Sequence, residues 1–142
     1  MSLKILLADD EKGHVDLIIR NLRRSGISNE IVHFDNGQSI IDHLKDIEKE
    51  NNPLESYLVL LDIRMPKVDG FDVLKFIKSS EKLKSIPVIM VTTTDDPTEV
   101  QRCHELGCNN YVTKPIEYKE FVEAIKRLGL FIQIVKVPEM EK

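Results

Sequence analysis

The stretch YLVLLDIRMPKVDG, residues 57–70, decides how this chain is interpreted. It opens with five apolar or aromatic residues that lead directly to a carboxylate at Asp62. A turn signal follows at once, formed by Met65-Pro66 and then by Asp69-Gly70. A short apolar run that is bounded by a turn is typical of a buried β-strand. The pattern therefore predicts a rigid strand that ends in an acidic residue.

Similar apolar runs recur along the chain and alternate with helical patterns. Three of the five runs are nearly continuous hydrophobic stretches, which is typical of strands buried on both faces of a parallel sheet. Between the runs, apolar residues recur at i, i+3, i+4 and i+7, as on one face of a helix. The runs cover residues 5–8, 31–34, 57–61, 88–91 and 111–112, and the helical stripes include Val15, Ile18, Ile19, Leu22, Ile40, Leu44, Ile47, Tyr118, Phe121, Val122 and Ile125.

Helix boundaries are also visible in the sequence. Gly26 is expected to end the first helix and Gly107 the fourth. The fourth helix is expected to begin at Asp96-Pro97, with Asp96 as the N-cap and Glu99 reaching back to it. The resulting order is β-α repeated five times, which predicts an α/β fold with a doubly wound parallel sheet and helices on both faces.

Composition restricts the possible function classes. The net charge of −4 and the pI of about 5.6 give no electrostatic footprint for nucleic acid. No apolar run approaches membrane-spanning length, and no signal-peptide pattern opens the chain, so a cytoplasmic protein is expected. The two cysteines lack zinc-site spacing, and the four scattered histidines are interpreted as surface or core-edge residues.

Polar residues follow the ends of four predicted strands: Asp9-Asp10, Asp62, Thr92 with its neighbours, and Lys114. Ligands of open α/β sheets bind outside the carboxyl ends of the strands, so these side chains are expected to share one pocket. Close carboxylates repel one another unless a cation lies among them, and oxygen ligands suit Mg²⁺. A lysine beside such a site is suited to a phosphoryl group. Taken singly, the same aspartates also fit helix or turn caps.

The chain resembles the receiver domain of two-component response regulators over residues 4–128. The segments that carry the resemblance are LLADDE, LDIRMPKVDG, PVIMVTT and GCNNYVTKP, in that order. The resemblance implies a flavodoxin-like (βα)5 domain, CheY-like, with strand order 2-1-3-4-5 over residues 3–128. Residues 129–142 are expected to form an apolar C-terminal extension and a tail.

The resemblance also implies a role for each site residue. Asp62 would accept a phosphoryl group from the phosphohistidine of a sensor histidine kinase or phosphotransfer protein. Asp10 and Asp62 would bind Mg²⁺ through their carboxylates, Arg64 through its backbone carbonyl, and Asp9 through a metal-bound water. The remaining roles belong to Lys114 and Thr92, which would hold phosphoryl oxygens, and to Tyr111, which would move with Thr92 as a switch.

Such a regulator is not expected to be an enzyme; it would act by docking to a downstream protein. Two alternatives remain open. A receiver-like binding module would keep the fold without phosphorylation, whereas an aspartyl-phosphate phosphatase of the haloacid dehalogenase class would need a second aspartate where Arg64 stands. The apolar segment at residues 130–138 predicts either packing on the chain itself or a homodimer through helix 4, strand 5 and helix 5, as in the similar regulators that partner phytochrome-type kinases.

Overall fold

The computed structural model describes residues 3–24, 26–50 and 56–114, together with residues 119 and 123. Within this part of the chain, β-strands and α-helices alternate strictly. The strands are β1 (Leu3–Ala8), β2 (Ile31–Phe34), β3 (Ser56–Leu61), β4 (Val88–Thr92) and β5 (Asn110–Thr113). The helices are α1 (Lys12–Arg24), α2 (Gly37–Lys49), α3 (Gly70–Ser79) and α4 (Pro97–Glu105).

All five strands form one parallel sheet in the order β2-β1-β3-β4-β5. This confirms the predicted fold class and strand order. The strand pair β1–β3 lies at the centre, and its register places Ala8 opposite Leu61. Apart from residues 119 and 123, which are helical, the predicted fifth helix lies outside the described residues, as do the C-terminal extension and the boundary expected after residue 128.

The continuous hydrophobic runs follow from burial on both sides of the sheet. Along β1, Leu6 and Ala8 contribute to a core with α2, α3 and α4, whereas Ile5 and Leu7 contribute to a second core with α1. Neighbouring residues of a strand point to opposite faces, so a strand covered on both sides has no position left for a polar residue. After their first two residues, the central strands β1 and β3 are therefore apolar to their ends.

Side-chain caps begin three of the helices. Asn36 accepts a hydrogen bond from the backbone N–H of Ser39 at the start of α2, and Asp69 does the same for α3. Asp96 caps α4 as predicted, since its carboxylate accepts a hydrogen bond from the backbone N–H of Thr98. Pro97 occupies the first turn, also as predicted. Each cap satisfies an N–H that has no partner within the helix. Gly107, with φ of +98°, follows the last turn of α4 as expected.

Among the described residues, no helix has the length and apolar character needed to cross a bilayer.

Candidate functional site

Three carboxylates meet at the carboxyl edge of the sheet. Asp9 directly follows β1 and Asp62 directly follows β3, and the Asp62 N–H donates to the Ala8 carbonyl at 2.9 Å, which holds the two strand ends side by side. Asp10 joins them, and one ligand oxygen from each of the three lies within 4.8 Å of the others. The structure thus brings together the acidic residues that the sequence predicted for one pocket.

Lys114 lies among these carboxylates although it is 105 residues from Asp9 along the chain. Its ammonium donates to Asp9 Oδ2 at 2.7 Å and approaches Asp62 Oδ2 at 3.3 Å. Lys114 is only 2% exposed, Asp9 1% and Asp62 5%, while Asp10 is open to solvent. Buried ions of this kind are stable only when they are paired, so the lysine is an integral part of the pocket.

The charge of the pocket is not balanced by its own residues. Three carboxylates and one ammonium leave two negative charges, and buried like charges repel strongly. Burial raises the pKa of Asp9 above its ordinary value, against the opposing effects of the Lys114 hydrogen bond and the Glu11 backbone N–H. A divalent cation held by oxygen ligands would balance both charges and favour the ionised form of each carboxylate. The donor set therefore fits such an ion.

Backbone N–H groups fix one oxygen of each buried carboxylate. Glu11 N–H donates to Asp9 Oδ1 at 2.9 Å, and Ile63 N–H donates to Asp62 Oδ1 at 2.8 Å. The other oxygen of each carboxylate, Oδ2, faces Lys114. Asp62 therefore presents one oriented oxygen towards the cationic side of the pocket, which is the arrangement that a nucleophile requires.

The backbone of the loop between β3 and α3 is closely packed against its neighbours. It leaves no space for a Cβ at Gly70 or at Gly37. A Cβ added to Gly70 would lie 2.1 Å from the Asp62 carbonyl oxygen, and one added to Gly37 at the start of α2 would lie 1.9 Å from the Val68 carbonyl oxygen. The Gly70 N–H also donates to the Ile63 carbonyl at 2.8 Å. We call residues 62–70 the acceptor loop; its backbone at Val68 packs against Gly37, and its two ends meet where Gly70 packs against Asp62.

Thr92 ends β4 at the same edge of the sheet. Its side chain is fully buried, and its hydroxyl has no hydrogen-bond partner among the described residues. The Thr92 carbonyl accepts a hydrogen bond from the Lys114 backbone N–H, so the two residues lie on adjacent strand ends. A buried hydroxyl without a partner is unfavourable in a folded protein, which marks Thr92 as a residue with a further role.

Tyr111 of β5 pairs with Met90 of the neighbouring strand β4 and contacts the loop after β4. Its hydroxyl donates to the Thr94 carbonyl at 2.7 Å, and burial raises the pKa of the phenol. The structure thus places Tyr111 on the loop that begins α4 rather than in the acidic pocket itself.

Arg64 has a different side-chain position from the other site residues. Its guanidinium reaches α4 and forms an ion pair with Glu99, whose second oxygen also accepts from the Thr94 hydroxyl at 3.1 Å. The expectation that Glu99 reaches back to cap its own helix was wrong, because this carboxylate is engaged by Arg64 and Thr94 instead. The pair connects the acceptor loop to α4.

One residue at the pocket was missed by the sequence interpretation. The Nδ1 atom of His14, in the first turn of α1, lies 3.0 Å from Lys114 Nζ. The signal available in the sequence was weak, since His14 stands four residues after Asp10, one turn into the helix that leaves the pocket. The interpretation of all histidines as surface or core-edge residues did not separate His14 from the other three.

These features define a flavodoxin-like α/β domain with an acidic pocket and a buried lysine at the carboxyl edge of its sheet. A family model described as the response regulator receiver domain matches residues 5–126, and the chain belongs to this family. It is therefore a receiver domain of two-component signalling, homologous to phospho-accepting response regulators.

Individual proteins agree with this assignment. A response regulator receiver domain from Rhodospirillum rubrum is 40% identical, with a TM-score of 0.79, covering 92% of this chain and 94% of that one. The phosphorylated cyanobacterial phytochrome response regulator RcpA is 30% identical, with a TM-score of 0.79 and coverage of 94% and 95%. Response regulator Rcp1 of Synechocystis sp. is 34% identical over 94% of this chain and 92% of its own. The Mn²⁺-bound structure of Rcp1 gives a TM-score of 0.73, covering 88% of this chain and 90% of that one.

Proposed function

We propose that Asp62 accepts the phosphoryl group from a phosphohistidine of a sensor histidine kinase or phosphotransfer protein. The observation that carries this assignment is the orientation of the Asp62 carboxylate, with Oδ1 fixed by the Ile63 N–H and Oδ2 facing Lys114. Oδ2 attacks phosphorus, and the P–N bond to the imidazole breaks with its electron pair returning to nitrogen. The product is an acyl phosphate, which water cleaves to free phosphate and the original carboxylate.

Two neighbours act on the charge that the phosphoryl group brings. Lys114 donates an N–H to one phosphoryl oxygen. The N–H that points to Asp62 makes the longest of its contacts, 3.3 Å, and is therefore the one most readily redirected to a phosphoryl group on Asp62. Thr92 donates its hydroxyl, which has no partner among the described residues, to another phosphoryl oxygen. Donors that are oriented before the reaction stabilise developing charge without reorganising, which favours transfer.

We propose that Mg²⁺ is the resident cation. Asp10 and Asp62 would hold it through carboxylates, Arg64 through its backbone carbonyl, and Asp9 through a metal-bound water. The two uncompensated negative charges and the clustered oxygens of Asp9, Asp10 and Asp62 support this ligand set. Rcp1, a relative, has been solved with Mn²⁺ bound, an ion with similar preference for oxygen ligands. When bound there, such a cation would supply positive charge that balances the phosphoryl oxygens.

The protein would act as a signalling switch rather than as an enzyme, in the cytoplasm. Phosphorylation gives Thr92 a hydrogen-bond acceptor, and the movement of Thr92 frees space that Tyr111 can enter. Tyr111 contacts the loop before α4 at Thr94, so the change reaches the surface of α4 and β5. A downstream protein would read this surface.

The same surface is proposed for a homodimer formed by helix 4, strand 5 and helix 5 with the C-terminal extension. The sequence of residues 130–138 supports this, because only Gln133 and Lys136 interrupt its apolar residues before Pro138. Sedimentation equilibrium on the full chain and on a chain truncated after Gly129 tests it. A full chain that stays monomeric at high concentration, with and without phosphorylation, contradicts the dimer.

The acceptor assignment is tested with acetyl phosphate, Mg²⁺ and intact-mass measurement. The wild type should gain the mass of one phosphoryl group, and Asp62→Asn should gain none. Asp72→Asn, an exposed change in the first turn of α3, is the matched control and should be labelled like the wild type. Equal labelling of Asp62→Asn would exclude Asp62 as the acceptor. A wild type that gains no mass favours the unphosphorylated binding module, and turnover of phosphate esters would revive the phosphatase.

A further inference from the structure

Among the described residues, Asp9, Asp62 and His14 have side chains within hydrogen-bond distance of the Lys114 ammonium, and His14 is the only one of the three that is not a carboxylate. Its Nδ1 lies 3.0 Å from Lys114 Nζ, and the two residues are 100 positions apart in the chain. His14 is half-buried in the first turn of α1, whereas Lys114 is almost fully enclosed. The contact therefore joins α1 to the pocket through the lysine.

The chemistry of the two groups fixes the direction of this hydrogen bond. An ammonium has three N–H donors and no lone pair, so Lys114 can only donate. Nδ1 of His14 must then carry the lone pair, which requires the neutral imidazole with its proton on Nε2.

The three contacts of Lys114 differ in length in a way that bears on its role. Asp9 Oδ2 and His14 Nδ1 are at 2.7 and 3.0 Å, whereas Asp62 Oδ2 is at 3.3 Å. Two short contacts hold the ammonium, and the N–H directed to Asp62 makes the longest one. A neutral acceptor at position 14 also holds the lysine without adding a fourth negative charge to a pocket that already has three carboxylates.

We propose that His14 is a positioning residue for phosphoryl transfer: its neutral imidazole holds Lys114 so that one N–H points to the oxygens of the phosphoryl group on Asp62. The inference rests on the proposed function of Asp62 and Lys114. Among the described residues, the hydrogen bond of the His14 side chain is made to Lys114 and not to Asp9, Asp10 or Asp62, so His14 would act through the lysine.

Three variants separate positioning from a general structural role. His14→Phe keeps a flat ring but has no acceptor, and it should slow phosphorylation by acetyl phosphate roughly three- to tenfold, the effect of one misplaced hydrogen bond. His14→Asn places an amide oxygen near the former Nδ1 and should recover most of the rate. His43→Phe, in α2 against Phe34, is the matched control and should behave as the wild type. Mg²⁺ affinity should be unchanged in all three, because His14 touches no carboxylate.

The wild type alone provides a second test, which does not depend on any variant folding. Long-range ¹H–¹⁵N spectra of the imidazole rings should show His14 with a proton on Nε2 and a hydrogen-bonded, unprotonated Nδ1. A proton on Nδ1 would overturn the inference.

The kinetic outcomes are equally decisive. An unchanged rate in His14→Phe, or an equal loss in the Phe and Asn variants, overturns the positioning role while leaving Asp62 as the acceptor. A wild type that is not phosphorylated at all overturns the proposed function first, so the two failures are distinguishable.

Discussion

Replacing Thr92 with valine tests the switch hydroxyl in both states of the domain. The Thr92 side chain is fully buried and its hydroxyl has no partner among the described residues, a situation that costs roughly 1–3 kcal/mol. Valine has nearly the same shape and replaces that hydroxyl with a methyl group. We therefore expect the unfolding free energy of the unmodified variant to rise by about 1 kcal/mol, which is about 3–5 °C in Tm for a domain of this size.

The expected effect reverses when the phosphoryl group is mimicked. On the proposed function, beryllofluoride with Mg²⁺ would give the Thr92 hydroxyl an anionic acceptor, and a hydrogen bond to a charged group contributes about 1.5–3 kcal/mol. The variant cannot form this bond. Valine should therefore be the more stable residue in the free domain and the less stable residue in the activated one.

Urea unfolding of both proteins, with and without beryllofluoride, measures this crossing. Thr93→Val is the matched control, since Thr93 is the next residue but is exposed, and it should shift both states equally. If Thr92→Val destabilises the free domain, the hydroxyl has a partner there. If beryllofluoride stabilises both proteins to the same extent, Thr92 does not bind the phosphoryl group and the proposed switch fails.

Three further changes test other parts of the site. Gly70→Ala should destabilise the domain by about 1–3 kcal/mol in thermal melts, because its Cβ would lie 2.1 Å from the Asp62 carbonyl oxygen. The control Gly13→Ala, whose Cβ meets nothing within 4 Å, should be neutral or stabilising. Equal effects of the two substitutions would contradict the close packing at Gly70. Asp10→Ala should weaken Mg²⁺ binding by roughly tenfold or more, as titrated by thermal shift, without unfolding the domain, because Asp10 is exposed; unchanged affinity would remove Asp10 from the ligand set. Burial raises the pKa of Tyr111 above its ordinary value of 10.0, so its neutral phenol stabilises the fold below pH 10, and that stability is lost as pH rises through the raised pKa. The Tm of Tyr111→Phe should therefore fall less than the Tm of the wild type above pH 10. Parallel curves of Tm against pH for the two proteins would contradict the burial of the phenol.

The sheet could be predicted from the sequence because its determinants are local. Continuous apolar runs require burial on both faces, and the turn after Asp62 and the caps at Asp96 and Gly107 are short-range signals. The acidic pocket was predictable for the same reason, since parallel strands carry their carboxyl ends to one edge. A residue at a strand end therefore has its position fixed by the topology alone.

The contacts that sequence reasoning could not supply are those made between distant elements by side chains. Glu99 had a plausible local partner in its own N-cap, but a guanidinium from the acceptor loop competes more strongly for a carboxylate than a backbone N–H does. His14 has no hydrogen-bond partner close in sequence among the residues that the structure describes, and the fold brings it to Lys114, 100 positions away, at the residue after β5. Such contacts depend on packing angles and rotamers, which spacing does not encode.

The close packing at Gly37 and Gly70 bears on which side of the pocket would move when the proposed switch operates. The acceptor loop has no room to move towards α2, since Gly37 packs directly against the Val68 backbone, and Gly70 closes the loop tightly against Asp62 and Ile63. By contrast, the opposite side of the pocket has the Thr92 hydroxyl, which has no partner among the described residues, and the Arg64–Glu99 ion pair to α4, whose exposed guanidinium makes it weakly stabilising. The acceptor loop is therefore held by close backbone packing, whereas the side formed by Thr92 and α4 is held by weaker interactions. On the proposed function, a charge added at Asp62 would displace the side of the pocket that carries Thr92, and the change would reach α4 through the Tyr111 contact with Thr94, while the packing of α2 against the acceptor loop stays unchanged.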